Sequence, residues 1–207
     1  MRFKVFSFDN YQTIPGEFAF CKPDKNDHVQ LSENKNPHLG WENLPEGTKS
    51  LVLICHDPDV PSVADDVNRE GTTVSKDLAR IDFYHWILID IDPEIKEIPA
   101  GAVSNGVVPK GKKPEKTQYG ICGINNYTEW FKGDKDMDGN YGGYDGPCPP
   151  WNDEIIHHYH FILYALDVES LNLEGLFGAR EALEAMQGHI LEKAEWIGIY
   201  TLNPTLL

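Results

Sequence analysis

"SLVLICHDPDVP", residues 50–61, joins a nearly continuous apolar run to a stiff acidic end. A run without polar alternation is typical of a strand that is covered on both faces. Residues 83–92, "FYHWILIDID", repeat the pattern. Both stretches are rich in Ile, Leu, Val and aromatic side chains, which favour strands. We therefore predict a layered, mainly β structure with these two strands at its centre.

Three other stretches extend this β pattern. Residues 2–8 (RFKVFSF), 158–168 (HYHFILYALDV) and 195–202 (EWIGIYTL) are apolar and aromatic, and clusters of Pro, Gly, Asp or Asn lie near them. The 14 Pro and 18 Gly of the chain indicate many turns rather than long helices. We predict a strand in each stretch.

One segment, from about Gly178 to Ala194, has the periodicity of an amphipathic helix. Its apolar residues recur at intervals of three and four positions, and Glu and Gln side chains occupy the opposite side. The apolar positions are Leu183, Met186, Ile190 and Ala194.

Long connections separate the predicted strands, at residues 22–40, 61–82 and 99–120. Loops of this length inside a compact domain usually carry binding or catalytic residues. We predict that functional side chains lie at the ends of the strands, where these loops meet them.

Length and charge limit the class of protein. A chain of 207 residues suits a single domain, which we place over residues 1–207. The formal net charge of −15 repels polyanions, so nucleic acid is a poor partner and an anionic membrane surface is disfavoured. No stretch is apolar enough to cross a membrane.

The N-terminal residues lack the apolar segment of a signal peptide, which predicts a cytoplasmic protein. In that compartment cysteines stay reduced. We therefore expect free thiols at all four cysteines, which are too widely spaced for a zinc ribbon or a Cys-x-x-Cys redox site: Cys21, Cys55, Cys122 and Cys148.

Acidic and imidazole side chains cluster at the strand ends. Asp57 and Asp59 alternate with prolines that stiffen the backbone, which favours a pocket role over a simple turn for the pair. Strand alternation places Phe83, His85 and Ile87 on one face of the second strand.

Three more histidines lie at the start of the strand predicted near residue 158. There, His157, Tyr159 and Phe161 share one face, and His158 and His160 share the other. A His-x-His pair with Asp57 or Asp59 would suit zinc, so a metal-dependent or acid/base hydrolase using Asp57, His85 and His157 is the alternative function.

In combination, the segments 51–61 (LVLICHDPDVP), 83–92, 144–153 (YDGPCPPWND) and 157–167 (HHYHFILYALD) resemble the phosphatidylethanolamine-binding protein family, specifically its bacterial and archaeal Raf kinase inhibitor-like branch. The family's Asp-Pro-Asp-x-Pro segment, strand His, Gly-Pro-x-Pro-Pro turn and His-Arg-Tyr segment occur here in the same order. Two departures are His158, where the family has Arg, and Phe83, where it commonly has Trp.

The resemblance implies a two-sheet antiparallel β-sandwich with a C-terminal helix and a small anion pocket at one end, without a cofactor or a catalytic residue. It leaves open a protein kinase or protease as partner, and also a homodimer. Carried over residue by residue, the pocket consists of Asp57, Asp59, Pro61, Phe83, His85, Cys148, Pro149, Pro150, His157 and Tyr159.

We therefore expect a non-enzymatic binding protein for a phosphate or phospholipid headgroup, or for a phosphorylated or acidic group of a partner. His85 and His157 would supply N–H donors to the anion. That role predicts tighter anion binding as the pH falls through the histidine range. A purely structural or storage protein is a third reading.

Residues 133–150, GDKDMDGNYGGYDGPCPP, begin like an EF-hand calcium loop but have Asp145 where the bidentate Glu belongs. The prolines at 147, 149 and 150 prevent the second helix that an EF-hand needs. We predict an exposed acidic loop at 133–143, whose aspartates form turns, followed by a stiff pocket wall at 144–150. Calcium binding at Asp134–Asp138 stays an open question.

Overall fold

The computed structural model describes all 207 residues as eleven strands and three short helices. The helices are a 3-10 turn (Gly16–Phe18), α1 (Tyr127–Trp130) and α2 (Ala179–Ala185). The strands are β1 (Arg2–Val5), β2 (Gln12–Thr13), β3 (Cys21–Asp24), β4 (His28–Leu31), β5 (Leu39–Glu42), β6 (Ser50–Pro61), β7 (Arg80–Ile91), β8 (Glu97–Ile98), β9 (Ile121–Cys122), β10 (His157–Leu166) and β11 (Ile190–Tyr200).

These strands form one large sheet and two small ones. The main sheet has the order β2–β11–β10–β6–β7–β9, and the small sheets are β1–β5–β8 and the hairpin β3–β4. All pairs are antiparallel except β2 with β11, which run parallel. The predicted mainly β, sandwich-like fold is confirmed, with one parallel pair at the edge of the main sheet.

The centre of the main sheet is buried on both faces, as the apolar runs of β6 and β7 predict. One face packs against the β1–β5–β8 sheet through residues such as Leu53, Trp86 and Phe161. The other face packs against α2, where Ile54 and Ile87 lie in one buried cluster with helix residues. The five predicted strands all form, with shifted ends.

The predicted helix is much shorter than its periodicity indicates. It ends at Ala185, and the chain then turns through Gly188, whose φ of +81° is in the left-handed region. From Ile190 the backbone pairs with β10 as strand β11, so Ile190 and Ala194 are strand residues. The prediction of a helix to Ala194 is wrong because pairing with the sheet overrides a local periodicity of 3.6.

One predicted loop contains regular structure, and another is partly buried. Residues 22–40 hold most of the β3–β4 hairpin, in which Cys21 pairs with Leu31. In the predicted acidic loop, Tyr141 and Gly143 are buried, so only its first part is exposed.

The prediction of four free thiols is wrong. Cys21 and Cys148 form a disulfide that links the β3–β4 hairpin to the proline-rich segment 146–150, whereas Cys55 and Cys122 are buried free cysteines. The pairing escapes sequence reasoning because two cysteines 127 positions apart carry no local signal of contact.

None of the helices has the length and apolar character that crossing a bilayer requires.

Candidate functional site

A cavity of about 240 Å³ lies at the end of the main sheet where β6 finishes and β7 and β10 begin. Twelve of its nineteen lining residues are hydrophobic, so its wall is mainly apolar. The antiparallel order of β10, β6 and β7 brings these strand ends together. Nine of the ten predicted site residues line it: Asp57, Pro61, Phe83, His85, Cys148, Pro149, Pro150, His157 and Tyr159.

The tenth, Asp59, does not line the cavity. Its Oδ2 accepts hydrogen bonds from the backbone N–H and from Nδ1 of His158, both at 2.8 Å. The His158 side chain is 43% exposed, so this pair lies on the outer side of the strands. The residue that stands where the family has Arg therefore pairs with Asp59 rather than with a ligand in the cavity.

A β-bulge places His85 in the cavity. In the register of β6 with β7, Cys55 pairs with Trp86 and His56 pairs with Tyr84. His85 has no partner and is the extra residue of the bulge. Before the bulge, Phe83 and His85 share the cavity face, with ring centres 4.9 Å apart. After it the alternation is inverted, and Ile87 joins the cluster under α2. The prediction that Ile87 shares a face with His85 is therefore wrong.

The hydrogen bonding of His85 fixes its tautomer. Its Nδ1 lies 2.8 Å from the backbone carbonyl of Asp145, which can only accept, so Nδ1 carries the proton. Burial lowers the pKa of His85 to about 4, against a smaller opposing effect of Asp57. At neutral pH the ring is therefore uncharged, and Nε2, which makes no hydrogen bond within the protein, presents a lone pair to the cavity.

His157 is in the opposite state. Its Nδ1 lies 2.7 Å from Oδ2 of Asp57 and its Nε2 lies 3.2 Å from Oδ2 of Asp153, so both nitrogens donate to carboxylates. Burial opposes the charge on the ring, but Asp57 and Asp153 together raise the pKa of His157 to about 9. The imidazolium is therefore charged at neutral pH and has no N–H left for a ligand.

Four charged side chains form a row at the cavity, in the order Asp57, His157, Asp153 and Arg80. The guanidinium of Arg80 makes a bidentate pair with the buried Asp153, with Nη1–Oδ2 and Nη2–Oδ1 distances of 2.6 and 3.0 Å. Although burial favours its neutral form, hydrogen bonds from His157 and Arg80 hold the pKa of Asp153 below its usual value. Two carboxylates, Asp57 and Asp153, thus balance two cations, and the row carries no net charge.

This arrangement corrects the predicted donor role of the two histidines. Toward the cavity His85 presents only the lone pair of Nε2, and both N–H groups of His157 are already bonded to carboxylates. Neither histidine therefore supplies an N–H to an anion at neutral pH. Neither pKa lies in the mildly acidic range. The protein itself therefore gives no reason for anion affinity to change as the pH falls through the ordinary histidine range.

The proline-rich wall is held by Asp145, the residue at the twelfth position of the calcium-like pattern. Its buried carboxylate accepts from the amides of Asn34 and Asn125 and pairs with Lys112. Tyr127 donates its hydroxyl proton to the carbonyl of Gly146, 2.8 Å away. Asp145 thus anchors the wall instead of contributing to a calcium loop.

The aspartates of the acidic loop form turns, as predicted. Oδ1 of Asp134 accepts from the backbone N–H groups of Asp136 and Met137, and Oδ2 of Asp138 accepts from that of Gly133. No group of three or more His, Cys, Asp or Glu side chains in the structure converges in a way that would hold a metal ion. The predicted zinc site of His158, His160 and an aspartate is therefore absent as a converging set, and the two rings contact carboxylates of different strands: Nδ1 of His158 contacts Asp59 of β6 and Nδ1 of His160 contacts Glu195 of β11.

One rim of the cavity comes from the long connection between β6 and β7. Asn152 holds this segment, donating from its side-chain amide to the carbonyls of Asp66, Arg69 and Thr72 and accepting from the N–H of Asn68. The length of the connection predicts a binding role, although no motif identifies its residues. The lining residues that sequence reasoning missed are Phe20, Cys21, Leu31, Val60, Ala64, Val67, Asn68, Tyr127, Trp130 and Phe131.

A large β-sheet packed against a smaller one, with a small cavity at the end of the large sheet, defines the class of protein. The family model described as phosphatidylethanolamine-binding protein matches residues 5–201. The chain therefore belongs to the phosphatidylethanolamine-binding protein family.

Curated relatives are bacterial and archaeal proteins named UPF0098. One from Aquifex aeolicus is 36% identical over 203 residues, covering 97% of this chain and 95% of its own length. Another from Pyrococcus horikoshii is 34% identical over 201 residues, covering 97% of this chain and 77% of its own length. The UPF0098 protein YbhB of Escherichia coli is 29% identical over 149 residues, covering 71% of this chain and 70% of its own length.

Solved structures agree with this assignment. The crystal structure of CT736 from Chlamydia trachomatis has a TM-score of 0.64 and 27% identity, over 96% of this chain and 95% of that one. YbcL of Escherichia coli has a TM-score of 0.68 over 97% of both chains. Its identity of 20% supports the fold alone.

Proposed function

We propose that the protein is a non-enzymatic binding protein whose end cavity takes a phosphate or phospholipid headgroup, or a phosphorylated or acidic group of a partner protein. The observation that carries this proposal is the unbonded Nε2 of His85 in a mainly apolar cavity. Membership of the family agrees with a binding role.

The polar atoms of the cavity favour a ligand that brings its own hydrogen-bond donor. Nε2 of His85 and the carboxylate of Asp57 are acceptors at neutral pH. A monoprotonated phosphate has an O–H for Nε2, and an ethanolamine headgroup has an ammonium. The positive charge of His157 lies close to the same carboxylate, and the apolar wall suits the carbon part of such a ligand.

The bonding of the two histidines also supports a role without catalysis. A general base must be within reach of a substrate proton and must have a pKa near the working pH. Both nitrogens of His157 are occupied by Asp57 and Asp153, and burial keeps the pKa of His85 at about 4. No observation favours the hydrolase alternative over binding.

Calorimetric titration with phosphoethanolamine and with inorganic phosphate tests the proposal on wild type and His85→Asn. The Asn amide can still donate to the Asp145 carbonyl, whereas the cavity-facing nitrogen is removed. Losing a hydrogen bond to a charged ligand costs about 1.5–3 kcal/mol, so we expect binding at least about tenfold weaker. His189→Asn, a surface control that does not line the cavity, should bind like wild type.

The proposal is wrong if wild type binds neither ligand or if His85→Asn binds both with wild-type affinity. Sulfate is the matched control ligand because it has no O–H at neutral pH, and it should bind more weakly than phosphate. Lipid vesicles that contain phosphatidylethanolamine separate an intact phospholipid from a free phosphate as the ligand.

The remaining predictions about partners stay open. A kinase or protease partner, a homodimer and a cytoplasmic location are proposals that rest on the family resemblance. The Cys21–Cys148 disulfide bears on the location, because disulfides persist mainly in oxidising compartments and in the cytoplasm of hyperthermophiles.

A further inference from the structure

Two histidines face each other on the side of the main sheet opposite to the cavity. His56 of β6 and His160 of β10 are direct partners in the strand register. They share a face with Ile54 and Ile162, which α2 covers further along the strands. Their ring centres are 5.2 Å apart, and the two rings are tilted by 40°. Neither the cavity nor the proposed function uses this pair.

A carboxylate holds each ring from the outside. Nδ1 of His56 lies 2.9 Å from Oδ1 of Asp82, and Nδ1 of His160 lies 2.8 Å from Oε1 of Glu195. An ionised carboxylate can only accept, so each Nδ1 carries the proton and each Nε2 of the neutral ring keeps its lone pair. Neither Nε2 makes a hydrogen bond within the protein.

The strand order aims both lone pairs inward. Asp82 belongs to β7 and Glu195 to β11, the strands that flank the β10–β6 pair on either side. Each Nδ1 is therefore drawn toward an outer strand. The two nitrogens of an imidazole are separated by one ring carbon and point in widely different directions, so we infer that each Nε2 points away from its carboxylate and toward the space between the two histidines.

The separation of the rings fits a shared metal ion. Zinc binds imidazole nitrogen at about 2.0–2.1 Å, and the ring centre lies roughly 1.1 Å behind that nitrogen. Two such rings at the tetrahedral angle have centres about 5.2 Å apart. The observed separation is also 5.2 Å.

We propose that His56 and His160 bind a transition-metal dication of the zinc class through their two Nε2 atoms, with water in the remaining positions. Hydrogen bonds from metal-bound histidines to carboxylates are the usual outer shell of such sites, and Asp82 and Glu195 provide them here. The proposed site has only two protein ligands. It is therefore compatible with the finding that no group of three or more His, Cys, Asp or Glu side chains could hold a metal ion. It does not involve His158.

Calorimetric titration of the chelator-treated, tag-free chain with zinc chloride tests the proposal, and the absorption spectrum of the cobalt complex gives a second readout. We expect one ion per chain and binding at least about tenfold weaker in His56→Gln and in His160→Gln. The double variant should bind at least as weakly as either single variant. Asp82→Asn and Glu195→Gln should each weaken binding by about 10–100-fold, because they release the rings from their fixed tautomer.

His189→Gln is the matched control. Nδ1 of His189 lies 2.9 Å from Oδ1 of Asp167, so it has the same carboxylate contact, but no second imidazole stacks near it. It should bind zinc like wild type, and so should His158→Gln. Circular dichroism checks that each variant is folded.

Three results would overturn the proposal. The first is a wild type that binds no zinc, and the second is single variants at positions 56 and 160 that bind zinc like wild type. The third is a loss of zinc affinity in the two control variants as large as the loss in the variants at positions 56 and 160. The last result would show weak binding by scattered surface histidines.

Discussion

At the residue scale, two histidines in one cavity hold opposite protonation states at neutral pH. His85 is neutral because it is buried and its only protein partner is a carbonyl oxygen. His157 is charged because two carboxylates flank its ring. Both rings are buried, but one contacts a carbonyl and the other contacts carboxylates. This difference in hydrogen-bond partner places the pKa values of the two histidines on opposite sides of pH 7.

These two pKa values predict a maximum of stability near pH 6.5. As the pH falls from 6.5 to about 4, the unfolded chain takes a proton at position 85 that the folded chain refuses, so stability decreases. As the pH rises from 6.5 to about 9, the folded chain keeps a proton at His157 that the unfolded chain loses, so stability decreases again. Each of the two changes lowers the free energy of unfolding by about 3 kcal/mol.

Urea unfolding at a series of pH values measures this profile. Other groups titrate in the same range, so the decisive comparison is with variants: His85→Asn should flatten the acidic arm selectively and leave the alkaline arm in place. An unchanged acidic arm in that variant would contradict the assigned state of His85.

At the element scale, the main departures from sequence expectation occur where pairing in the sheet overrides a local pattern. The bulge at His85 inverts the alternation of β7, and β11 takes over the second half of the predicted helix. Both depend on contacts with strands far away in the chain. A single sequence does not reveal such contacts, because neither residue spacing nor propensity encodes which strand becomes the neighbour.

Gly188 decides where α2 gives way to β11, and its replacement is a test of that boundary. Its φ of +81° costs a residue with a side chain about 1 kcal/mol, although a Cβ there would meet no other atom within 4 Å. We therefore expect Gly188→Ala to lower the free energy of unfolding by about 1 kcal/mol in urea titrations.

Gly16→Ala is the matched control, because Gly16 has no positive φ and a Cβ there would make only an ordinary contact with Lys22. It should change stability little. A Gly188→Ala variant at least as stable as wild type would indicate that the helix can continue as its periodicity suggests.

At the scale of the whole molecule, the cavity assembles segments that are widely separated along the chain. The Asp-Pro-Asp segment, the strand histidine and the proline wall could be predicted as one site, because the family resemblance links them. The aromatic rim at Tyr127 and Phe131 and the disulfide partner Cys21 could not, since no motif connects them to the rest.

The Cys21–Cys148 disulfide should contribute measurably to stability. It closes a loop of 127 positions, and removal of a native disulfide typically costs about 2–5 kcal/mol. We expect Cys21→Ser/Cys148→Ser to unfold at a correspondingly lower urea concentration than wild type. Reductant should lower the midpoint of wild type and leave that of the variant unchanged.

A count of thiols in the denatured, unreduced chain provides an independent check. It should give two, from Cys55 and Cys122, because both are free. Four thiols, together with an unfolding midpoint that reductant does not move, would contradict the disulfide.

The strand order also has a consequence for synthesis on the ribosome. β10 lies between β6 and β11, so the centre of the main sheet lacks a neighbour until residues 157–200 have been made. Until then the apolar edge of β6 has no partner, and the cavity lacks His157 and Tyr159. The growing chain therefore carries an exposed β edge from the completion of β6 at Pro61 until β10 is made from His157 onward, about half of its length, and nascent proteins are vulnerable to aggregation at that stage.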